Sequence, residues 1–184
     1  MWESILDSHF GGMDETILWT GLRPGEYPDL EMIRGSTMTD PGMVTVASGW
    51  SVDETIDRLT AAVTGAGLLV FARVDHAGNA AGAGMELRPT QLLIFGNPRG
   101  GTPLMLDRQT AGIDLPVKAL AWQDEAGQVW LTYNCAAWIA ERHGLGADSN
   151  ASVEAIAAGM AQLVRLAVVR APETDVRPAH YGDG

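Results

Sequence analysis

Two groups of polar residues could bind a ligand, because each directly follows a short apolar run that is typical of a buried strand. Asp75 and His76 follow the run over 68–74, and Asn97 follows the run over 90–95. A histidine beside a carboxylate can carry a proton or bind a metal ion, and an asparagine amide can donate to and accept from a polar ligand. We expect the two strands to be neighbours, with both groups near one pocket.

A glycine-rich turn after Asn97 adds a second feature of ligand sites. Gly100, Gly101 and Thr102 stand at the start of a short predicted helix over 102–107. Backbone N–H groups at a helix N-terminus attract anions, and glycine lets a ligand approach them closely. The alternative is that Asn97 caps its own turn and the glycines merely supply positive φ. The predicted ligand-binding residues are therefore Asp75, His76, Asn97, Gly100, Gly101 and Thr102.

Two residues could take part in catalysis, although no catalytic motif accompanies either of them. His76 could carry a proton, and Cys135 could act as a nucleophile if a cationic or histidine neighbour lowered its pKa. The sequence places no base, nucleophile and orienting group together, so the catalytic residues stay unknown. His143, at the end of a predicted helix, is explained by the favourable interaction of a cation with the helix C-terminus, worth about 0.3 to 1 kcal/mol.

Several chemical classes are excluded by missing motifs. The single lysine, Lys118, has no Gly-Lys-Ser or Gly-Lys-Thr sequence around it, which excludes a P-loop. One cysteine and four scattered histidines give no metal site by local spacing, so we expect no metal. No motif in the sequence indicates a particular cofactor, so the identity of any cofactor stays unknown.

Composition indicates a globular protein with one principal domain. The chain has 184 residues, of which 46% are hydrophobic and 19% charged, enough apolar surface for a buried core. Its net charge of −11 disfavours nucleic acid and anionic membranes as partners. The N-terminus lacks the features of a signal peptide, and no run reaches the roughly 18 apolar residues of a membrane span. We therefore predict a cytoplasmic protein without membrane contact.

Charge and periodicity divide the chain into three parts. Residues 1–42 carry eight acidic residues against two arginines and show no sustained apolar periodicity, so we expect a mobile extension or an artefact of the start site. Residues 43–170 form the predicted domain. Residues 171–184 are expected to be a flexible tail.

The predicted elements of the domain mix helices and strands. Ser51 and Glu54 have the spacing of a capping box in front of an amphipathic helix, which ends near Gly65. The strands are predicted at 43–48, 68–74, 90–95, 115–122 and 128–133, and the other helices at 77–84, 102–107, 136–143 and about 152–169. This order predicts an α+β two-layer sandwich, with helices packed on a mixed sheet.

The last helix also predicts a partner. Its main apolar stripe faces the domain, but Leu166 and Val169 lie on the other side. Since two unpaired apolar side chains favour burial, we expect a homodimer in which this helix takes part, unless the tail covers them.

Six short blocks recur in an order and spacing that resemble a known family. They are Arg73-Val74-Asp75-His76, Arg88-Pro89-Thr90, Phe95-Gly96-Asn97-Pro98, Gly101-Thr102-Pro103-Leu104-Met105, Asp114-Leu115-Pro116 and Tyr133-Asn134. Over residues 43–146 the chain resembles the family catalogued as domain of unknown function 302. The resemblance implies a compact two-layer α+β domain that tends to form homodimers, and it implies no established activity.

These observations leave three functional hypotheses in order of preference. The first is a module that binds a small ligand or cofactor with the six residues named above. The second is a homodimeric interaction protein without catalysis. The third is an enzyme that uses His76 or Cys135.

Overall fold

The computed structural model describes residues 42–170, which contain five strands and five α-helices. In chain order the elements are β1 (Met43–Ser48), α1 (Val52–Gly65), β2 (Leu69–Asp75), α2 (His76–Gly82), β3 (Thr90–Gly96), α3 (Pro98–Asp107), β4 (Val117–Gln123), β5 (Val129–Asn134), α4 (Ala136–His143) and α5 (Asn150–Val168). Two 3₁₀ helices, Gln109–Ile113 and Ala147–Ser149, lie in the connections. The predicted α+β class is confirmed.

The five strands form one sheet in the order β1-β5-β4-β3-β2, and every neighbouring pair is antiparallel. The predicted mixed sheet is therefore wrong. The helix α1 does connect two parallel strands, β1 and β2, but these strands form the opposite edges of the sheet. Since they are never hydrogen-bonded neighbours, the crossover adds no parallel pair.

The core lies between one face of the sheet and the helices α1 and α5. Alternate residues of β3, including Leu93 and Phe95, are completely buried on this face, as the period of two in a strand requires. The helix α1 adds Ile56, Leu59 and Val63 at a spacing of three to four residues. This packing confirms the predicted two-layer arrangement.

Capping and glycine residues in the sequence predict most of the helix ends correctly. The Ser51 side chain accepts a hydrogen bond from the Glu54 backbone N–H at 3.2 Å, so the predicted N-cap of α1 is confirmed. The α4 helix spans the predicted residues and ends at Gly144, whose positive φ of 60° glycine tolerates best. The predicted start of α3 was too late in the chain, because the helix begins at Pro98 and not at Thr102.

The last helical segment, Ala147–Val168, is long and apolar enough to cross a membrane by length and composition, with a mean hydropathy of 1.4. A helix long and apolar enough to cross a membrane was not expected from the sequence. Within it, α5 contributes Met160, Leu163 and Val164 to the core beside α1. A core helix of a globular domain passes the same test of length and composition, so this finding alone does not favour a membrane span.

Two of the predicted segments lie outside the described residues. They are the N-terminal extension, apart from Gly42, and the C-terminal tail from residue 171 onward.

Candidate functional site

A partly open cavity of about 280 Å³ lies at one end of the sheet, between β3, β4, α3 and α5. Its volume is about twice that of an engineered protein cavity, of about 150 Å³, that binds benzene. No charged side chain is among the described residues that line it. The apolar part of its wall is formed mainly by Leu68, Phe71, Phe95, Met105, Leu115, Pro116, Val117, Ile156, Met160 and Leu163.

Secondary structure explains why these side chains meet. Phe95 and Val117 are register partners on β3 and β4 and point to the core face of the sheet. Ile156, Met160 and Leu163 are three and four residues apart, so they line one face of α5. The cavity is therefore an incompletely filled end of the hydrophobic core.

Phe71 reaches the cavity because of an irregularity in the edge strand β2. The register of β2 against β3 shifts between Val70 and Ala72, so Phe71 is the extra residue of a β-bulge. Its side chain lines the cavity although the residue is 52% exposed. Phe71 thus stands at the opening, where a ligand would enter.

Gly159 leaves part of the cavity empty. It lines the cavity from the interior of α5, and a Cβ built on it would meet no atom within 4 Å. Glycine inside a helix costs about 1 kcal/mol relative to alanine. Helix stability alone would favour a side chain here, and its absence leaves this part of the cavity unfilled.

The glycine-rich turn does not form the predicted anion site. Asn97 is the N-cap of α3, and its Oδ1 accepts a hydrogen bond from the Arg99 N–H at 2.9 Å. Its backbone oxygen accepts from the N–H groups of Gly100 and Gly101 at 3.0 and 3.2 Å. Since these donors are occupied, the anion cradle is wrong and the interpretation of Asn97 as a local cap is confirmed. The positive φ expected at the glycines was also wrong, because Gly100 and Gly101 do not have it.

Four of the six predicted residues nevertheless line the cavity: Asn97, Gly100, Gly101 and Thr102. The Thr102 hydroxyl and the Asn97 amide nitrogen have no hydrogen-bond partner within residues 42–170. Asn97 is half-buried and Thr102 is exposed, so both groups are within reach of solvent at the cavity.

The other two predicted residues lie at the opposite end of the sheet. Asp75 pairs with Gln91 at the start of β3, whereas Asn97 follows the end of the same strand. Six residues of strand separate the two positions by roughly 20 Å. The predicted proximity was wrong because β2 and β3 are antiparallel, so these two strands finish at opposite ends of the sheet. Asp75 caps α2 through the Gly78 N–H at 2.8 Å, and His76 is the first residue of that helix.

Cys135 and Tyr133 lie at the cavity end of the sheet, far from His76. Cys135 is half-buried and precedes α4 as its N-cap, without a side-chain capping bond. Burial, with a smaller contribution from Cys135, raises the pKa of Tyr133 to about 12, so its phenol stays protonated at neutral pH. His76 cannot serve as a base for Cys135, because the two residues follow opposite ends of the sheet.

The sequence analysis did not find the buried pair formed by Asp114 and His143. The His143 Nε2 lies 2.7 Å from an Asp114 carboxylate oxygen, and the two side chains are only 7% and 9% exposed. The Arg142 guanidinium lies 3.6 Å from the same oxygen, and the Thr110 hydroxyl lies 3.4 Å from His143 Nδ1. The pair ties the 3₁₀ helix at 109–113 to the end of α4. Because 29 residues separate its members, no local spacing could reveal it.

Two other carboxylates stabilise connections. Hydrogen bonds from the Gly146 N–H and the Ser149 hydroxyl, and a weaker attraction to Arg108, lower the pKa of Asp107. A hydrogen bond from the Trp130 indole, followed by backbone donors within the hairpin, lowers the pKa of Asp124. Both carboxylates hold loops in place and lie outside the cavity wall. Over the range 42–170 no group of three or more His, Cys, Asp or Glu residues could hold a metal ion.

Comparison with known proteins identifies relatives over most of the described range. A sequence model described as "Domain of unknown function DUF302" matches residues 44–164. The chain is similar in fold to the crystal structure of an uncharacterised conserved DUF302 protein from Bacillus stearothermophilus, with a TM-score of 0.62 and 18% identity, over 70% of this chain and 99% of that one. At this identity the likeness supports the fold alone.

Two curated relatives are longer than this chain. Proteins named fluoride-specific ion channel FluC 1 from Brucella suis and from Brucella abortus are each 48% identical to this chain over 132 residues, or 72% of it. The match covers 52% and 49% of those two proteins, so it spans about half of their length.

Proposed function

The chain belongs to the family described as domain of unknown function DUF302, and we propose that it is a binding module for a small, mainly apolar ligand. The observation that carries the proposal is the cavity of about 280 Å³ at the end of the core. An apolar cavity of this size that opens to the surface is typical of small-molecule sites. The glycine at position 159 keeps the void open at a cost to helix stability, which supports a role for the space itself.

The lining supports a ligand with an apolar body and one polar end. Aliphatic, aromatic and methionine side chains form most of the wall, and among the lining residues of the range 42–170 the only polar side chains are those of Asn97 and Thr102. A hydroxyl or carbonyl oxygen could accept a hydrogen bond from either. Phosphates and other multiply charged anions are disfavoured, because no described residue gives the cavity wall a cationic side chain and the first N–H groups of α3 are occupied.

The Brucella relatives suggest where such a module could work. Their name refers to fluoride conduction, and this chain matches about half of each. Fluoride is a small, strongly hydrated anion, and the apolar cavity offers it no cationic partner. We therefore propose an accessory role beside a fluoride channel, in which the domain binds a different molecule and conducts no ion. Fluoride at millimolar concentration should leave both the melting temperature and dye binding of the purified chain unchanged.

The test is a titration with N-phenyl-1-naphthylamine, a neutral apolar dye that fluoresces in apolar surroundings. We expect saturable binding of one dye per chain. Gly159→Leu should fill the cavity and abolish binding without unfolding the protein, because the introduced side chain meets open space. Gly65→Leu is the matched control, since Gly65 ends α1, is not among the residues that line the cavity, and would likewise place its Cβ with no neighbour within 4 Å. Equal dye binding by the two variants would reject the cavity as the site.

The polar end is tested separately with Thr102→Val, which keeps the side-chain shape and removes the hydroxyl. Displacement of the dye by 1-octanol should weaken by about fivefold, the effect of one hydrogen bond. Displacement by toluene, which has no acceptor, should not change. Native mass spectrometry of the freshly purified chain would show any ligand retained from the expression host.

The non-catalytic homodimer is the second candidate, and it also stays a proposal. Leu166 and Val169, which motivated it, are 50% and 52% exposed at the end of α5. The third hypothesis, an enzyme using His76 or Cys135, has no support in residues 42–170, since neither side chain is hydrogen-bonded to a base, a nucleophile or an orienting group there. The cytoplasmic location stays a prediction.

A further inference from the structure

Thr110, His143 and Asp114 are arranged like the nucleophile, base and orienting carboxylate of a hydrolase triad. The His143 Nε2 lies 2.7 Å from an Asp114 carboxylate oxygen, and the His143 Nδ1 lies 3.4 Å from the Thr110 hydroxyl oxygen. Such a triad is recognised by the geometry and roles of its members and not by their order in the chain. None of the three is among the residues that line the cavity, so this site is separate from the proposed ligand site.

The hydrogen bonds assign a role to each nitrogen of the imidazole. A carboxylate can only accept, so the Nε2 of His143 carries the proton that is donated to Asp114. In the neutral ring the Nδ1 is then the acceptor, and the Thr110 hydroxyl is the donor. Their distance of 3.4 Å is long, as it often is between a nucleophile and its base before a substrate binds. His143 therefore has the position of a general base for Thr110.

Burial differs among the three residues in the way that a nucleophile requires. The Asp114 and His143 side chains are only 9% and 7% exposed, whereas Thr110 is an exposed residue. Water has little access to the imidazole, but a substrate can reach the hydroxyl. The Arg142 guanidinium lies 3.6 Å from the same Asp114 oxygen and helps to hold the carboxylate in place. Asp114 is thus a positioning residue, which fixes the ring of His143 through a hydrogen bond.

An exposed apolar side chain stands beside the hydroxyl. Thr110 and Ile113 are three residues apart in the 3₁₀ helix at 109–113, and side chains at this spacing lie directly above one another in a 3₁₀ helix. Ile113 is 72% exposed, so it can contact an apolar group of a molecule bound at Thr110. This arrangement favours a substrate with a short apolar chain next to the bond that is attacked.

We propose that Thr110 is the nucleophile of an acyl-transfer site for small esters with an apolar acyl chain. The Thr110 oxygen attacks the ester carbonyl carbon, the bond to the alcohol oxygen breaks, and His143 passes the hydroxyl proton to the departing alcohol. Water, activated by the same Nδ1, then releases the acyl chain as a carboxylic acid and restores the threonine. General-base catalysis contributes about 10²- to 10⁴-fold to a rate, which suits esters with a good leaving group better than amides.

The test is the hydrolysis of p-nitrophenyl butyrate by the full chain, corrected for hydrolysis in buffer. Thr110→Val and His143→Gln should each lower the rate by about 100-fold, the lower end of the contribution of a general base. Thr110→Ser, which keeps a hydroxyl, should retain activity. Asp114→Asn should lower kcat and leave KM unchanged. Thr64→Val is the matched control and should have no effect, because Thr64 is also exposed but its hydroxyl donates to a backbone oxygen of α1.

The position of the acyl group provides a second measurement. Acid quenching during turnover should trap the butyryl group, and peptide mass spectrometry should place it on Thr110. This separates the site from Cys135, His76 and Lys118, whose side chains also react with activated esters. Since Thr110 is exposed, Thr110→Val should stay folded and bind N-phenyl-1-naphthylamine as the wild type does. A wild-type rate no higher than that of buffer, full activity in Thr110→Val, or a butyryl group on another side chain instead would each overturn the proposal.

Discussion

The buried pair of His143 and Asp114 allows a prediction in which two physical interpretations differ in magnitude. If His143 acts only as a cation at the end of α4, His143→Ala should cost about 0.3 to 1 kcal/mol of unfolding free energy. The structure indicates a larger effect. The substitution would remove a hydrogen bond of 2.7 Å and leave a carboxylate that is 9% exposed without its closest partner.

The expected cost is about 2 kcal/mol. A hydrogen bond to a charged group typically contributes about 1.5 to 3 kcal/mol. Arg142 keeps some compensation, because its guanidinium remains 3.6 Å from the Asp114 carboxylate. This loss corresponds to a fall in melting temperature of about 7 °C for a domain of this size.

Urea denaturation of the wild type and three variants measures this effect. His143→Gln, which can still donate to Asp114, should recover about half of the loss. His76→Ala is the control histidine and should cost less than about 0.5 kcal/mol, because its side chain has no hydrogen-bond partner within residues 42–170. A loss of 1 kcal/mol or less in His143→Ala, with the slope of the denaturation curve unchanged, would refute the buried-pair interpretation and support the helix-end effect.

The other predictions concern local features. Ser51→Ala should lower the unfolding free energy by about 1 kcal/mol through loss of the N-cap of α1, and an unchanged denaturation midpoint would contradict this. Gly159→Ala should raise the melting temperature by about 3 °C, because alanine gains about 1 kcal/mol in a helix and meets no neighbour; a fall would show that the position is crowded. The pKa values of Asp107 and Asp124 are lowered in the folded protein. Both carboxylates therefore stabilise the fold fully above the ordinary aspartate pKa, and this stabilisation is lost as the pH falls through the lowered native pKa values. Unfolding measured between pH 7 and pH 2 should therefore show a decline below about pH 4, and that decline should be smaller in Asp124→Asn.

The candidate site was only partly predictable. Four residues of the cavity could be selected from the sequence because they directly follow a predicted strand and lead into a predicted helix. They are Asn97, Gly100, Gly101 and Thr102. The apolar wall of the cavity gave no signal, since an apolar side chain that lines a void has the same sequence pattern as one that fills a core. Gly159 was likewise indistinguishable from any other small residue in an alanine-rich helix.

The amino-acid sequence by itself determined the class of fold and the positions of most elements. Capping and turn residues act over three or four positions, so Ser51 and Gly144 specify helix ends without help from the rest of the chain. The strands at 43–48 and 90–96 followed from short apolar runs for the same reason.

Only the tertiary structure decided how those elements meet. Strand order and direction depend on the packing of the whole sheet, and no local preference specifies that β1 and β2 take opposite edges. That one arrangement separates His76 from Asn97, brings Asp114 to His143 and leaves the cavity beside α5. These features arise from contacts between distant segments, whose free energy is shared across many residues and leaves no short pattern in the sequence.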